Sequence, residues 1–214
     1  GLLVGSIFTK ALAIGSNKPF VPINHLEGHL LSPTYNNSMQ YPYLAFLLTG
    51  GHTQIYIVNG INNYELIGQT LDDAIGEAFD KVAKLLELSY PGGPKIELLA
   101  KKGDENKFMI PHPLKKSKSL NFSFSGIKTA INLITKENDI NKNNFKSDIA
   151  ASFQKIVNEI LERKFKLCIN YLNNKKIIVK QLALVGGVAS NNNIYLKMKE
   201  VAKSNACSIV LPPK

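Results

Sequence analysis

The sequence is poor in three features that each mark a class of protein. Two cysteines, Cys168 and Cys207, occur among 214 residues, too few for a disulfide framework, and this favours a reducing, cytoplasmic setting. No stretch approaches eighteen consecutive apolar residues, so we expect neither a membrane-spanning helix nor a membrane partner. Internal repeats and long low-complexity linkers are missing as well. With 44% hydrophobic residues, the composition is that of a globular protein with a sizeable core.

Arginine is almost absent, although the chain is basic. Arg163 is the only arginine among 26 basic residues, which face 16 acidic ones and give a formal net charge of +10. Such a charge invites a polyanionic partner, but arginine reads phosphates better than lysine, which acts as a point charge. The lysines also accompany many asparagines and isoleucines, the bias of an AT-rich coding sequence. Charge alone therefore leaves nucleic-acid binding open.

The hydrophobic pattern predicts strands that alternate with helices, and therefore an α/β layered fold. The predicted elements, in chain order, are an amphipathic helix over 1–15, a strand, glycine turn and strand over 41–58, a helix over 71–88 that the YPGGP sequence at 90–94 stops, a surface loop over 136–146, a helix over 147–172, a strand over 176–185 and a helix over 192–204.

The sequence NHLEGH at 24–29 places two histidines four residues apart. On a helix His25 and His29 share one face and could both bind a transition metal. A surface helix that carries two histidines without a metal is the alternative. At about 100° per residue, Glu27 points away from the histidines, whereas the zinc-protease motif puts its glutamate directly after the first histidine. The spacing therefore disfavours a protease.

Two diglycine turns are candidates for holding an anion. The TGGH sequence at 49–52 lies between two predicted strands, where glycines expose backbone N–H groups to a phosphate. Gly186 and Gly187 follow a buried strand and precede a helix, whose N-terminus favours anions. This second turn lacks the spacing of a dinucleotide site or a P-loop, and each turn by itself is also compatible with a plain connection. Together they favour a nucleotide held between two lobes.

Acidic residues gather in the helix predicted after Thr70. Asp72 and Asp73 fall in its first turn, where carboxylates complement the helix dipole. Asp80 lies further along, beside Phe79 on a half-apolar stripe. A carboxylate in that position suits a ribose or substrate hydroxyl.

Seven segments, in this order along the chain, resemble the tRNA N6-adenosine threonylcarbamoyltransferase family, the TsaD/Kae group formerly labelled O-sialoglycoprotein endopeptidase. They are GLLVG at Gly1, HLEGH at His25, TGGHTQ at Thr49, GEAFDKVAKLL at Gly76, YPGGP at Tyr90, FSFSGIKTA at Phe122 and GGVASN at Gly186. Each is weak alone, but seven in order over nearly the whole chain are highly specific.

The resemblance implies an actin/Hsp70/hexokinase-like (ASKHA) fold with two ribonuclease-H-like lobes, both incomplete here. Residues 1–42 would be the remainder of the first lobe with the HLEGH helix, and residues 43–214 the second lobe with the nucleotide-binding turns. The implied activity moves a threonylcarbamoyl group from threonylcarbamoyl-AMP to N6 of the adenosine 3′ of the anticodon, in tRNAs that read codons beginning with A. The implied partners are tRNA and the other proteins of this modification complex, TsaB and TsaE in bacteria.

The resemblance also assigns site residues. His25 and His29 look like two protein ligands of one iron or zinc ion, whose third ligand is an aspartate beyond Lys214 in the family. No catalytic residue is implied beyond this metal site. The residues that resemble the family's contacts to the acyl-adenylate are Leu47, Leu48, Thr49, Gly50 and Gly51 beside the phosphate, Asp80 and Gly93 on the ribose side, and Asn191.

Two substitutions depart from the family pattern, and two other functions stay open. Asn121 stands where an aspartate usually precedes FSFSG, and Asn192 where an arginine is common after GGVxxN. The first alternative is a noncatalytic nucleotide-binding scaffold subunit of the same fold. The second is a sugar or small-acid kinase of the superfamily, which the paired histidines of HLEGH disfavour.

Overall fold

The computed structural model describes residues 2–35 and 39–213, and its centre is a five-stranded mixed sheet. The elements are α1 Leu2–Gly15, α2 His25–Leu31, β1 Tyr43–Leu48, β2 Thr53–Gly60, β3 Asn63–Gln69, α3 Ile75–Leu85, α4 Gly92–Ala100, α5 Ser125–Glu137, α6 Phe145–Asn174, β4 Gln181–Val185, α7 Asn192–Ser204 and β5 Ser208–Val210. The strand order is β3-β2-β1-β4-β5. The first three strands along the chain pair antiparallel, whereas β1, β4 and β5 run parallel.

Strand β1 is central, and all six of its residues are buried because both faces of the sheet are covered. Leu44, Phe46 and Leu48 face the larger core, which α3 to α7 close. The alternate residues face a smaller core that contains Leu30 of α2. The Tyr43 hydroxyl donates to the Leu30 carbonyl oxygen at 2.8 Å and thereby fixes α2 on this second face.

The structure confirms the strand, turn and strand over 41–58 and the helices predicted over 147–172 and 192–204. Four predictions of extent were wrong. The loop predicted over 136–146 is shorter, since α5 ends at Glu137 and α6 begins at Phe145. Helix α3 begins at Ile75 rather than at 71, and a separate helix, α4, begins within the YPGGP sequence. Strand β4 begins at Gln181 rather than at 176, and Lys176 lies in the turn after α6 with a φ of 59°, in the left-handed region.

Helix α1 confirms the predicted N-terminal helix but buries none of its residues. Its large apolar side chains, among them Leu3, Ile7 and Phe8, are exposed. Over the described residues, no helix is both long and apolar enough to cross a membrane. The proposed division of the chain after residue 42 stays a prediction, and α2 lies against the sheet that begins at Tyr43.

Candidate functional site

A cavity of about 310 Å³ lies between the N-terminal parts of α3, α4 and α7 and the two glycine turns. Four of the residues predicted to contact a nucleotide line it, namely Gly50, Asp80, Gly93 and Asn191. A second cavity of about 420 Å³ adjoins it and shares Gly50 and Asp80. The tertiary structure therefore gathers into one place residues that lie up to 141 positions apart in the sequence.

The other residues of the predicted phosphate segment do not line this cavity, namely Leu47, Leu48, Thr49 and Gly51. Leu47 and Leu48 are fully buried in β1, one on each face of the sheet. Thr49 begins the turn that follows. Gly50 is therefore the residue of the segment that reaches the cavity wall.

Asp80 holds the N-terminus of α4. Its Oδ1 accepts a hydrogen bond from the Gly92 N–H at 2.8 Å, which satisfies one of the backbone donors that a helix leaves unpaired. Gly92 must be small, because a Cβ there would lie 2.5 Å from Ala83 Cβ. Gly93 beside it has open space where a Cβ would be, and it faces the cavity.

Asn191 caps α7 and is only 7% exposed. Its Oδ1 accepts from the Ile194 N–H at 3.0 Å, and its Nδ2 donates to Gln154 Oε1 at 3.0 Å. Gln154 is itself buried on α6, and its Nε2 has no hydrogen-bond partner among the described residues. The bond between these two amides fixes which end of Asn191 faces the helix.

Glu97 is a cavity residue that the sequence patterns did not single out. From α4 its Oε1 accepts from the Asn192 N–H at 3.0 Å, at the first turn of α7. Asn191 and Glu97 together thus supply acceptors to the N-terminus of α7, where we expected a free anion site. In the sequence, Glu97 could have been linked to the cavity only by its position four residues after Gly93, on the same face of a helix.

The TGGH turn is held by its own threonine. Thr49 N–H donates to the His52 carbonyl oxygen at 2.8 Å. The N–H groups of Gly51 and His52 in turn donate to Thr49 Oγ1, at 3.2 and 2.8 Å. The Gly51 N–H is therefore directed at the threonine side chain. The sequence had predicted instead that the glycines of this turn expose their N–H groups to a phosphate.

The second glycine turn is shaped by its contact with the first. Gly186 has a φ of 94°, and a Cβ there would lie 2.5 Å from the Leu48 carbonyl oxygen. Gly76 of α3 is also tightly packed, since a Cβ there would lie 2.8 Å from the Thr49 carbonyl oxygen, to which the Gly76 N–H donates. These glycines allow the two turns and α3 to meet.

Asp72 does not belong to the first turn of α3. Its carboxylate accepts from the Phe124 N–H at 2.7 Å and from the hydroxyls of Ser123 and Ser125 at 2.5 and 2.9 Å. Burial opposes ionisation, but these hydrogen bonds outweigh it and lower the pKa of Asp72. Asp72 therefore stabilises the N-terminus of α5, and Asp73 pairs with Lys81 at 2.6 Å.

The two histidines lie together on α2, with ring centroids 4.6 Å apart. Burial, and after it the positive charge of a protonated His25 or His52, lowers the pKa of His29 and favours the neutral imidazole that metals bind. Glu27 faces the sheet, where the Tyr64 hydroxyl donates to its Oε1 at 2.7 Å. It does not face the histidine pair, in agreement with the prediction from helical spacing. Within the described residues, no group of three histidine, cysteine or acidic side chains could hold a metal ion.

Comparison with known proteins decides the family. The profile described as "TsaD: tRNA N6-adenosine threonylcarbamoyltransferase" matches residues 1–214. The chain belongs to this family. Relatives with the same name include those of Pelagibacter ubique, 46% identical over 99% of this chain, and Bartonella bacilliformis and Rickettsia bellii, each 44% identical over 100% of it. The chain spans only 59%, 60% and 63% of these three relatives.

Solved structures confirm the fold class of this family member. HypF of T. kodakarensis superposes with a TM-score of 0.67 at 14% identity, over 96% of this chain and 36% of that one. Full-length HypF in its phosphate- and nucleotide-bound form gives 0.62 at 14% identity, over 91% and 40%. At this identity the likeness concerns the fold alone, which is the predicted α/β, ASKHA-type fold.

Proposed function

We propose that this family member transfers the threonylcarbamoyl group of threonylcarbamoyl-AMP to N6 of the adenosine 3′ of the anticodon, in tRNAs reading codons that begin with A. The observation that carries the proposal is the cavity that joins Gly50, Asp80, Gly93 and Asn191. These residues come from four separate family motifs. Their convergence on one cavity supports a common ligand.

The cavity suits the nucleoside end of the donor. Asp80 offers a carboxylate to ribose hydroxyls while Gly92 holds it in place. Gly93 leaves room for the sugar, and Asn191 and its neighbours form the opposite wall. Thr49, Gly50 and Gly51, with Leu47 and Leu48 behind them, would lie beside the phosphate.

His25 and His29 would hold one iron or zinc ion, with a third ligand that the described residues do not supply. The adjacent rings on one face of α2 fit two ligands of such an ion. When bound, the ion would act as a Lewis acid on the carbamoyl oxygen.

Transfer from a mixed anhydride needs no protein nucleophile, and the chain is consistent with that. Both Cys168 and Cys207 are buried, and burial raises the pKa of each thiol, so neither is an activated thiolate. The chemistry instead requires orientation of the carbonyl and of the attacking adenosine N6. The backbone of Gly50, the residue of the TGGH turn that lines the cavity, would stabilise the departing phosphate.

The finer parts of the proposal follow from the family. We propose tRNA as the acceptor, TsaB and TsaE as bacterial partner proteins, a cytoplasmic location, and residues 1–42 and 43–214 as parts of two lobes.

The test combines the complete gene product with threonine, bicarbonate, ATP, the adenylate-forming enzyme, partner proteins and unmodified tRNA. We expect threonylcarbamoyladenosine in the digested tRNA by mass spectrometry. Asp80→Ala should abolish most of it, whereas Asp139→Ala, which alters a carboxylate in a surface turn, should not. Absence of product with the unaltered protein, or full activity of Asp80→Ala, would contradict the proposal.

A further inference from the structure

A groove runs along α6 on a face that the nucleotide cavity does not reach. Three cavities of about 460, 400 and 640 Å³ follow one another along it. The first two share His112 and Lys115, and the last two share Leu167 and Asn170. The α6 residues that line the groove extend from Ser152 to Asn174, about 33 Å at 1.5 Å per residue.

Residues 101–118, which we call the lysine segment, form the other side of this groove. Hydrogen bonds to α6 hold this segment along its length. They join the N–H of Asp104 to Asp148 Oδ1 at 2.8 Å, the N–H of Phe108 to Ser152 Oγ at 3.3 Å, and Arg163 Nη2 to the Ser117 carbonyl oxygen at 3.1 Å. The segment is thus a fixed edge of the groove despite its lack of regular structure.

The charge of the protein is concentrated on this edge. The lysine segment contains six lysines and two acidic residues, so 18 residues carry four of the ten net positive charges. All six lysines are exposed, and none lies within 4 Å of a carboxylate in the part of the chain that the structure describes. On α6, Glu162 is already paired with Lys166 and Lys197, at 2.6 and 2.9 Å.

Unpaired lysines along a fixed groove are suited to a partner with regularly spaced negative charges. Phosphodiester backbones provide them, and each lysine that neutralises a phosphate releases a counterion. Arg163, the arginine that lines the groove, already donates to the Ser117 carbonyl oxygen, so the exposed cations of the segment are lysines. Lysines act as point charges and imply contact with the backbone and not with base edges. Such a groove would orient an RNA without reading its sequence.

We infer that the groove between the lysine segment and α6 binds the phosphate backbone of the tRNA substrate. This inference rests on the proposed function for the identity of the RNA. It assigns Lys115 and Lys118, which line the groove, and the exposed Lys116 between them to phosphate contacts remote from the nucleotide cavity.

The test is the triple variant Lys115→Glu, Lys116→Glu, Lys118→Glu in the complete gene product, with fluorescence anisotropy of labelled unmodified tRNA. We expect Kd at 0.15 M salt to rise about tenfold or more, and the slope of log Kd against log salt to fall by about 2 to 3. The matched control reverses Lys136, Lys142 and Lys203, which are exposed and line none of the three cavities. It should bind tRNA as the unaltered protein does.

Three outcomes would overturn the assignment. They are unchanged tRNA affinity of the triple variant, an equal loss in the control variant, and loss of binding to phosphatidylserine vesicles with tRNA affinity preserved. Threonylcarbamoyl transfer to tRNA is measured separately. If the unaltered protein forms no threonylcarbamoyladenosine yet binds tRNA through these lysines, the proposed function fails and the groove stands. If transfer occurs while the triple variant binds tRNA normally, the proposed function stands and the assignment of the groove fails.

Discussion

The nucleotide cavity and the histidine pair of α2 differ in how their residues are held. Around the cavity, Asp80, Glu97 and Asn191 each bond a backbone N–H at a helix N-terminus, and Asn191 also bonds a buried side chain. His25 and His29 contact one another on a seven-residue helix, and His25 is exposed. The cavity is therefore coupled to the stability of the fold, whereas the histidine pair is available for ligation at little structural cost.

Among the substitutions that test this difference, Gly186→Ala should have the largest effect. The new Cβ would meet the Leu48 carbonyl oxygen in a conformation that alanine rarely adopts, so we expect a loss of about 3 kcal/mol in the free energy of unfolding. Gly187→Ala is the control, because a Cβ there meets nothing within 4 Å and should cost under about 1 kcal/mol. Urea denaturation measures both. Equal effects would show that the close approach of the two turns is not what requires glycine.

Asn191→Ala should have the next largest effect. It removes the cap of α7 and should cost about 1 to 2 kcal/mol in urea denaturation. Asn191→Ser keeps an oxygen for the Ile194 N–H but loses the donor to Gln154, so it isolates the contribution of the second bond. If serine is as destabilising as alanine, the bond to Gln154 and not the cap holds this wall.

Asp72, which bonds the N-terminus of α5, predicts how such a capping contact responds to acid. Its folded pKa is lowered, so its contribution to stability is present above the ordinary aspartate value and is lost as the pH falls through the folded value. Asp72→Asn should therefore be less stable than the unaltered protein near pH 7, and the difference should shrink below about pH 4. Urea midpoints between pH 3 and 7 measure it. A difference that is independent of pH would contradict the assignment of the hydrogen bonds to the ionised form.

His25→Ala should have the smallest effect on folding. Because the ring is exposed, we expect the free energy of unfolding of chelator-treated protein to change by no more than about 0.5 kcal/mol. Bound iron or zinc, measured by elemental analysis of the complete gene product, should fall strongly, whereas His112→Ala should retain it. Strong destabilisation without metal, or unchanged metal content, would remove the contrast between the two regions.

Local patterns predicted the elements that depend on one amphipathic period or one turn. The 30 residues of α6 and the two strands around Thr49 are examples, because their apolar spacing leaves little alternative. Helix α4 was missed because its Gly-Gly-Pro start is typical of a helix end. It forms because Asp80 accepts the Gly92 N–H and because Ile96 is buried in the core.

The sequence by itself determined the α/β class, through apolar periodicity, and the family, through seven motifs in order. Only the tertiary structure decided which side chain forms hydrogen bonds at the N-terminus of which helix. Glu97 and Asn192 are 95 residues apart, Asp72 and Ser125 are 53 apart, and Gln154 and Asn191 are 37 apart. The reason is physical, since a buried donor or acceptor must find a partner but its own neighbours in sequence do not specify which one. The packing of α3, α4, α6 and α7 against the sheet makes that choice.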